Sequence, residues 1–217
     1  MSLRWLTWTV VVAGFLVFAI LAHEVRVSAS AVWRFDRGVA EALKEHADGH
    51  PQFVSFAHHA TEAGSIPVMT ALALVGSLLL WLCGHTRLAV CWLLAAALGS
   101  AIDVACKSYF SRARPDATLR DAAVTERNPS YPSGHSMGSV IGYGALAYVC
   151  AVLLKRRSAK VFMVAVLMAL VLAIGWSRVY LRAHWFSDVM GGYAIGLSWL
   201  GLCIALLESR ARPLEAS

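Results

Sequence analysis

Charge is what this sequence has least of. Asp, Glu, Lys and Arg make up 15% of its 217 residues, against roughly 25% in an average soluble domain. Acids are the scarcer sign, 13 against 19 bases, and no acidic cluster suited to magnesium occurs. Neither a lysine-rich arm nor a basic helix accompanies the net charge of +6, so nucleic acid is not the expected partner. The five cysteines contain no CxxC pair and sit in or at the ends of apolar runs, which excludes a zinc ribbon and a disulfide framework.

Apolar sequence fills the gap: 59% of residues are hydrophobic and the mean hydropathy is +0.62. A bilayer core needs about 20 mainly apolar residues per helix. Six stretches qualify, at about 6–22, 65–83, 88–106, 136–154, 161–176 and 187–207. The expected fold is therefore all-α: a single polytopic membrane domain over 1–217, with six transmembrane helices. Ala29-Ser30-Ala31 resembles a signal cleavage site, but the apolar run before it exceeds the usual signal core of about 7–15 residues, so a retained helix is expected.

Lysine and arginine set the expected orientation. Placing 1–4, 84–87, 155–160 and 208–217 inside gives eight Lys/Arg in 24 residues, against eleven in roughly 80 outside. Density favours both termini in the cytoplasm of an inner-membrane protein. The outer segment 22–64 is too long for a turn. Ser30 is positioned to cap a helix with Val32, Phe35, Val39 and Leu43 on one face, lying on the membrane with Trp33 at headgroup level. Its histidines, His46, His50, His58 and His59, match no zinc spacing and are expected to be interfacial.

Three polar clusters interrupt the apolar background. Tyr131-Pro132-Ser133-Gly134-His135 stands where a loop becomes an uncharged apolar run. Proline suits the first position of a helix, and the N–H groups of Ser133, Gly134 and His135 would then point out of the helix start as an anion site. Lys107 and Arg114 follow the third span, with Asp103 one turn before Lys107 and placed to position it; Arg178, His184 and Asp188 follow the fifth. With six spans, all three clusters emerge on one face, opposite the termini. Singly, each has an ordinary explanation: flanking charges at lipid headgroups, a structural His–Asp bond at i,i+4, or glycines (Gly134, Gly138, Gly142, Gly192, Gly196) that let helices approach. Together they describe a pocket for a tetrahedral oxyanion such as phosphate, with two histidines for nucleophilic and acid–base work and a carboxylate to orient one of them. Arg112, Arg120, Arg127 and Arg182 lie near it in sequence and would favour diphosphates.

Lys107-x6-Arg114-Pro115, Pro132-Ser133-Gly134-His135 and Ser177-Arg178-x5-His184-x3-Asp188 resemble the three-part signature of the type-2 phosphatidic acid phosphatases. That superfamily includes glucose-6-phosphatase and the vanadium haloperoxidases, and the match covers 107–188. The resemblance implies that His184 attacks phosphorus to form a phosphohistidine, that Asp188 orients its ring, and that His135 protonates the leaving oxygen and then activates water. Lys107, Arg114, Ser133, Gly134 and Arg178 would hold the phosphate oxygens, with no metal and no cofactor. The implied substrates are lipid phosphates such as undecaprenyl pyrophosphate, phosphatidylglycerophosphate, phosphatidic acid or a lipid A phosphate, met at the outer face. A vanadate-dependent haloperoxidase and a non-enzymatic membrane scaffold are the alternatives. Nothing in the sequence indicates an oligomeric state.

Overall fold

Hydrocarbon offers a backbone no hydrogen-bonding partner, so apolar spans must satisfy their own peptide groups and form helices. The computed structural model describes residues 3–28 and 30–209, and no strand occurs among the described residues. In chain order the helices are α1 (Leu3–Arg26), α2 (Ser30–Gly49), α3 (Pro51–Glu62), α4 (Ile66–Leu82), α5 (Thr86–Phe110), α6 (Gly134–Leu153), α7 (Arg157–Tyr180) and α8 (Phe186–Ser209). Length and composition let α1, α5, α6, α7 and α8 each cross a bilayer alone. The remaining expected span, α4, has only 17 residues and reaches spanning length only with α3, from which it is bent by 41°. Residues 1–2 and 210–217, which carry part of the inside-positive pattern, and Ala29 of the cleavage-like triplet lie outside the described residues.

The helices outrun the apolar stretches that announce them, and they do so at the polar clusters. Lys107 lies in the last turn of α5, Arg178 in the last turn of α7 and Asp188 in the first turn of α8. Hydropathy marks where hydrocarbon ends. A helix continues for as long as its polar side chains find partners, and here each finds one: Lys107 with Asp103, Arg178 with Glu126, Asp188 with Arg112.

The central pair is α6 and α8, which bury far more of their length than α1. Gly192 and Gly196 make that contact close. A Cβ on Gly192 would fall 2.6 Å from the Ser133 carbonyl oxygen, and one on Gly196 would fall 3.2 Å from that of Met137. The glycines of α6 do something else. Gly138 and Gly142 face Met69 and Leu72 of α4, and Gly134 faces Asp103 and Lys107 of α5. All five glycines thus serve close approach, but only those of α8 bring α6 and α8 together. On the far side of α8, α1 packs along it, with the Ser198 hydroxyl donating to the Val11 carbonyl at 3.1 Å.

The 22–64 segment forms two helices rather than one. Its buried stripe on α2 is Asp36, Ala40 and Ala47; of the expected face, Phe35 is exposed and Val32, Val39 and Leu43 are half-buried. The stripe is rotated because α2 docks on the first turn of α8 through a carboxylate, Asp36, which accepts from the Ser187 N–H at 2.9 Å. The histidines have protein partners: His46 Nδ1 meets the Tyr180 hydroxyl at 3.0 Å, and His58 Nε2 pairs with Asp121 at 3.1 Å. His50 and His59 bond carbonyls one turn back.

Candidate active site

Ser133 is the N-cap of α6, so the helix opens at Gly134 and Pro132 stands outside it, not at its first position. The Ser133 hydroxyl accepts from the Ser136 N–H at 3.4 Å and from the Ser136 hydroxyl at 3.1 Å. Its N–H, expected to face an anion, donates to the Asp188 carbonyl at 2.9 Å. Ser133 thus ties the starts of α6 and α8 together. The N–H groups of Gly134 and His135, the first two of the helix, remain without intrahelical partners. The His135 ring has no hydrogen-bond partner among the described residues and lines a cavity of about 420 Å³.

Lys107, Arg114 and His184 line the same cavity. Lys107 reaches it by pairing with Asp103 one turn back and donating to the Pro132 carbonyl at 3.0 Å. Arg114 is braced by Asn128, whose carbonyl and side-chain oxygens it meets at 2.8 Å and 2.7 Å. Its Nη1 also donates to the Ala183 carbonyl at 2.8 Å and stands 3.2 Å from His184 Nε2. Arg178 is brought near but does not line the cavity. Glu126 does, and it pairs with Arg178, whose other amino group donates to Thr61 at 2.8 Å. The Arg178 Nε is buried with no partner among the described residues.

His184 is not on a helix with Asp188. It lies in the turn 181–185 that joins α7 to α8, where the N–H groups of Ala183 and His184 both donate to the Arg178 carbonyl. Arg182, with φ of 51°, reverses the chain there, and its guanidinium bonds the Tyr180 and Leu119 carbonyls at 2.6 Å and 2.8 Å. Asp188, three residues into α8, reaches back to the Trp185 N–H at 2.9 Å, one half of a capping box. The same oxygen faces His184 Nδ1 at 3.5 Å. An N–H on Nδ1 directed at that carboxylate leaves the Nε2 lone pair toward the cavity. Burial pushes the His184 imidazole well below its ordinary pKa, and Arg114, Arg178 and Lys107 push the same way. A neutral ring whose Nε2 accepts from Arg114 at 3.2 Å is equipped to attack an anionic electrophile once phosphate takes over that N–H.

Sequence reading missed four partners. Ser130 donates to Asp188, Asn128 braces Arg114, Glu126 pairs with Arg178, and Asp36 meets Arg112 at 2.7 Å. Only Asp36 had a visible signal, as an acid in register with Ala40, Leu43 and Ala47. Arg112 does not face the cavity as a further phosphate ligand; it bonds Asp36 and Asp188. Arg182 is spent on the turn, and Arg120 donates to the Glu126 carbonyl at 3.2 Å.

Burial alone would raise the Glu126 pKa, but the charges of Arg178 and Arg114 outweigh it and hold it at about 2. A carboxylate depressed in this way stabilises the fold fully above its ordinary value of 4.5, and that contribution disappears as pH falls through about 2. The wild-type protein is expected to melt above Glu126→Gln near neutral pH. The gap should narrow below pH 4.5 and close near pH 2, as followed by thermal unfolding in detergent.

Beyond the polar end, the cavity continues between helices. Met69, Ala73 and Leu74 of α4, Leu93, Ala97, Ser100 and Val104 of α5, and Gly138 and Gly142 of α6 line it. From Lys107 to Leu93 it follows α5 for roughly 20 Å, at about 1.5 Å per residue. Leu74, Leu93 and Val104 at its lips are exposed, so it opens sideways between α4 and α5.

The family model described as the PAP2 superfamily matches residues 88–212. Phosphatidylglycerophosphatase B of Bacillus subtilis (strain 168) is 36% identical over 94 residues, covering 42% of this chain and 44% of that protein. A putative undecaprenyl-diphosphatase, YbjG, of Escherichia coli (strain K12) is 43% identical over 68 residues, 31% of this chain and 30% of that one. The chain thus spans less than half the length of these curated relatives in each match. A crystal structure of a transmembrane PAP2 type phosphatidylglycerolphosphate phosphatase from Bacillus subtilis superposes with a TM-score of 0.83 and 25% identity, covering 94% of this chain and 98% of that one. The signature residues gathered at one end of a helical membrane bundle, the family match across more than half of the sequence and the shared fold lead to one conclusion: the chain is a multi-pass membrane protein of the PAP2 superfamily.

Proposed function

We propose that this protein is a lipid phosphatase that hydrolyses a phosphate monoester or diphosphate headgroup through a phosphohistidine on His184. One observation carries the reading: the cationic pocket around His184 opens directly into an apolar groove that faces the membrane between α4 and α5. A soluble phosphate ester needs no such groove, whereas a lipid needs a wet end and a dry end in one continuous site.

The roles follow from the geometry. Lys107, Arg114 and the N–H groups of Gly134 and His135 hold the phosphate oxygens, with Ser133 shaping that cradle as the cap of α6. Arg178 joins them when phosphate competes with Glu126. His184 Nε2 donates its lone pair to phosphorus while the P–O bond to the leaving oxygen breaks (an ester bond in a monophosphate, an anhydride bond in a diphosphate), and His135 gives its proton to the departing oxygen. Asp188 holds the Nδ1 proton as the ring becomes positive. Water then attacks the phosphohistidine, His135 takes its proton, the P–N bond breaks and inorganic phosphate leaves. Positioning and charge neutralisation do most of the work in such in-line transfers, and here the cations supply the neutralisation without a metal. The lysine and arginine distribution supports both termini in the cytoplasm and the site at the outer face of the inner membrane.

Phosphate release from undecaprenyl pyrophosphate, phosphatidylglycerophosphate, phosphatidic acid and a lipid A phosphate, with purified protein in detergent and with EDTA, tests the proposal. Turnover of at least one lipid, undiminished by EDTA, is expected. No release from any of them overturns the activity, and loss with EDTA overturns the metal-free mechanism. The groove makes a separate prediction. A Cβ on Gly138 meets nothing nearer than Met69 at 3.8 Å, so a larger side chain would project into the groove. Gly138→Leu is expected to raise KM for a long-chain lipid phosphate about tenfold or more while leaving a short, water-soluble phosphate ester within about twofold, the loss matching a few buried methylenes at about 0.8 kcal/mol each. Parallel kinetics on the two substrates measure this.

A further inference from the structure

Asp36 is 1% exposed, on a helix that otherwise lies at the edge of the bundle, and three donors converge on its carboxylate. The Ser187 N–H donates to Oδ1 at 2.9 Å and the Ser187 hydroxyl to Oδ2 at 2.5 Å. Arg112 Nη2 donates to Oδ2 at 2.7 Å. The other amino group of Arg112 meets the Ser187 hydroxyl at 2.8 Å and Asp188 Oδ1 at 2.5 Å. One guanidinium is thus divided between two fully buried carboxylates, and the second of them faces the His184 ring.

We propose that Asp36 is a positioning residue for the reaction, acting through Arg112 and Ser187 on Asp188 and so on His184. The proposal rests on the phosphohistidine reading above. Two acids and one base leave one negative charge in a buried cluster whose open side is His184 Nδ1. That charge is what the ring meets as Nε2 attacks and the imidazole becomes positive. Without the Asp36 charge, Arg112 neutralises Asp188 and is free to take both of its oxygens, a geometry that carboxylates and guanidinium groups favour. The ring then loses both its counter-charge and its orientation. Meanwhile Ser187, adjacent to Asp188, is held by Asp36 through backbone and side chain, which fixes the turn that carries the orienting carboxylate. Low polarity around the cluster makes each of these interactions stronger than it would be in water.

Asp36→Asn keeps the shape and an acceptor while removing the charge. Its kcat is expected to fall about 10- to 100-fold, by analogy with the loss of outer partners of metal-bound ligands, with KM within about twofold; the melting temperature falls as well, because Arg112 and Ser187 lose a buried carboxylate. In an Asp188→Asn background, measured by single-turnover release of labelled phosphate, Asp36→Asn should add no further loss, because its route is already cut. A helix tether that disturbs the site by a route independent of Asp188 would instead multiply the two losses, and that result overturns the proposal. Should Asp36→Asn not accumulate, Arg112→Lys serves the same purpose, since an ammonium cannot span both carboxylates: the same kcat loss is expected, and wild-type kcat overturns the proposal. Wild-type kcat in Asp36→Asn beside an inactive His184→Ala removes only the role of Asp36; turnover in His184→Ala removes the reading beneath it.

Discussion

Purified His184→Ala is expected to release no phosphate from any of the four lipids, a loss on the order of 10⁴-fold or more, as is usual when a covalent nucleophile is removed. His135 lines the same cavity, but its proposed work is proton transfer, and the Glu126 carboxylate there is paired with Arg178. The cations that line the cavity have no lone pair to give, and the hydroxyl of Ser130 is turned toward Asp188. The loss should be in kcat, with lipid binding retained, because Lys107, the α6 start and the groove are untouched. Acid-labile incorporation of labelled phosphate into wild-type protein, absent from the variant, checks the intermediate directly. Turnover by the variant would mean that water attacks phosphorus without a phosphohistidine.

His135→Ala should separate the two chemical steps. General acid–base assistance contributes about 10²–10⁴-fold, and lipid alkoxides are poor leaving groups that need the proton. With p-nitrophenyl phosphate, whose phenolate leaves unaided, formation of the phosphoenzyme should be nearly normal. Its hydrolysis still requires a base, so labelled phosphoenzyme should accumulate in the variant and not in the wild type. Equal losses on both substrates, with no accumulation, would assign the acid to another group. The ring nitrogens of His135 favour the separation, since no hydrogen bond among the described residues engages either of them.

Much of the site was legible because a reaction demands particular atoms. Lys107, Arg114, His135, His184 and Asp188 are polar residues at or beside helix ends in a chain with little charge elsewhere, and their order along the chain matches the signature that suggests a phosphate site. Ser133 and Arg178 were legible by type but not by geometry. The N–H of Ser133 binds α8, and Glu126 stands between Arg178 and the cavity. His184 and Asp188 were read as one helical face, yet a capping box pulls Asp188 back toward a turn, and the turn presents the ring.

The sequence by itself determined the number of apolar runs, the all-helical class and the candidate reacting groups, because each depends on the local cost of placing a residue in hydrocarbon or on the chemistry a side chain can supply. Tertiary structure decided which way each helix turns. A membrane helix that is apolar all round carries no periodic signal for its buried face, so nothing local reveals that the α6 glycines open a groove toward α4 and α5 while those of α8 close against α6. Nor does anything local pair Arg112 with Asp36 and Asp188, each 76 residues away. Those contacts exist only once α2, the loop after α5 and the start of α8 meet, and they set the charge around the histidine that the sequence had named.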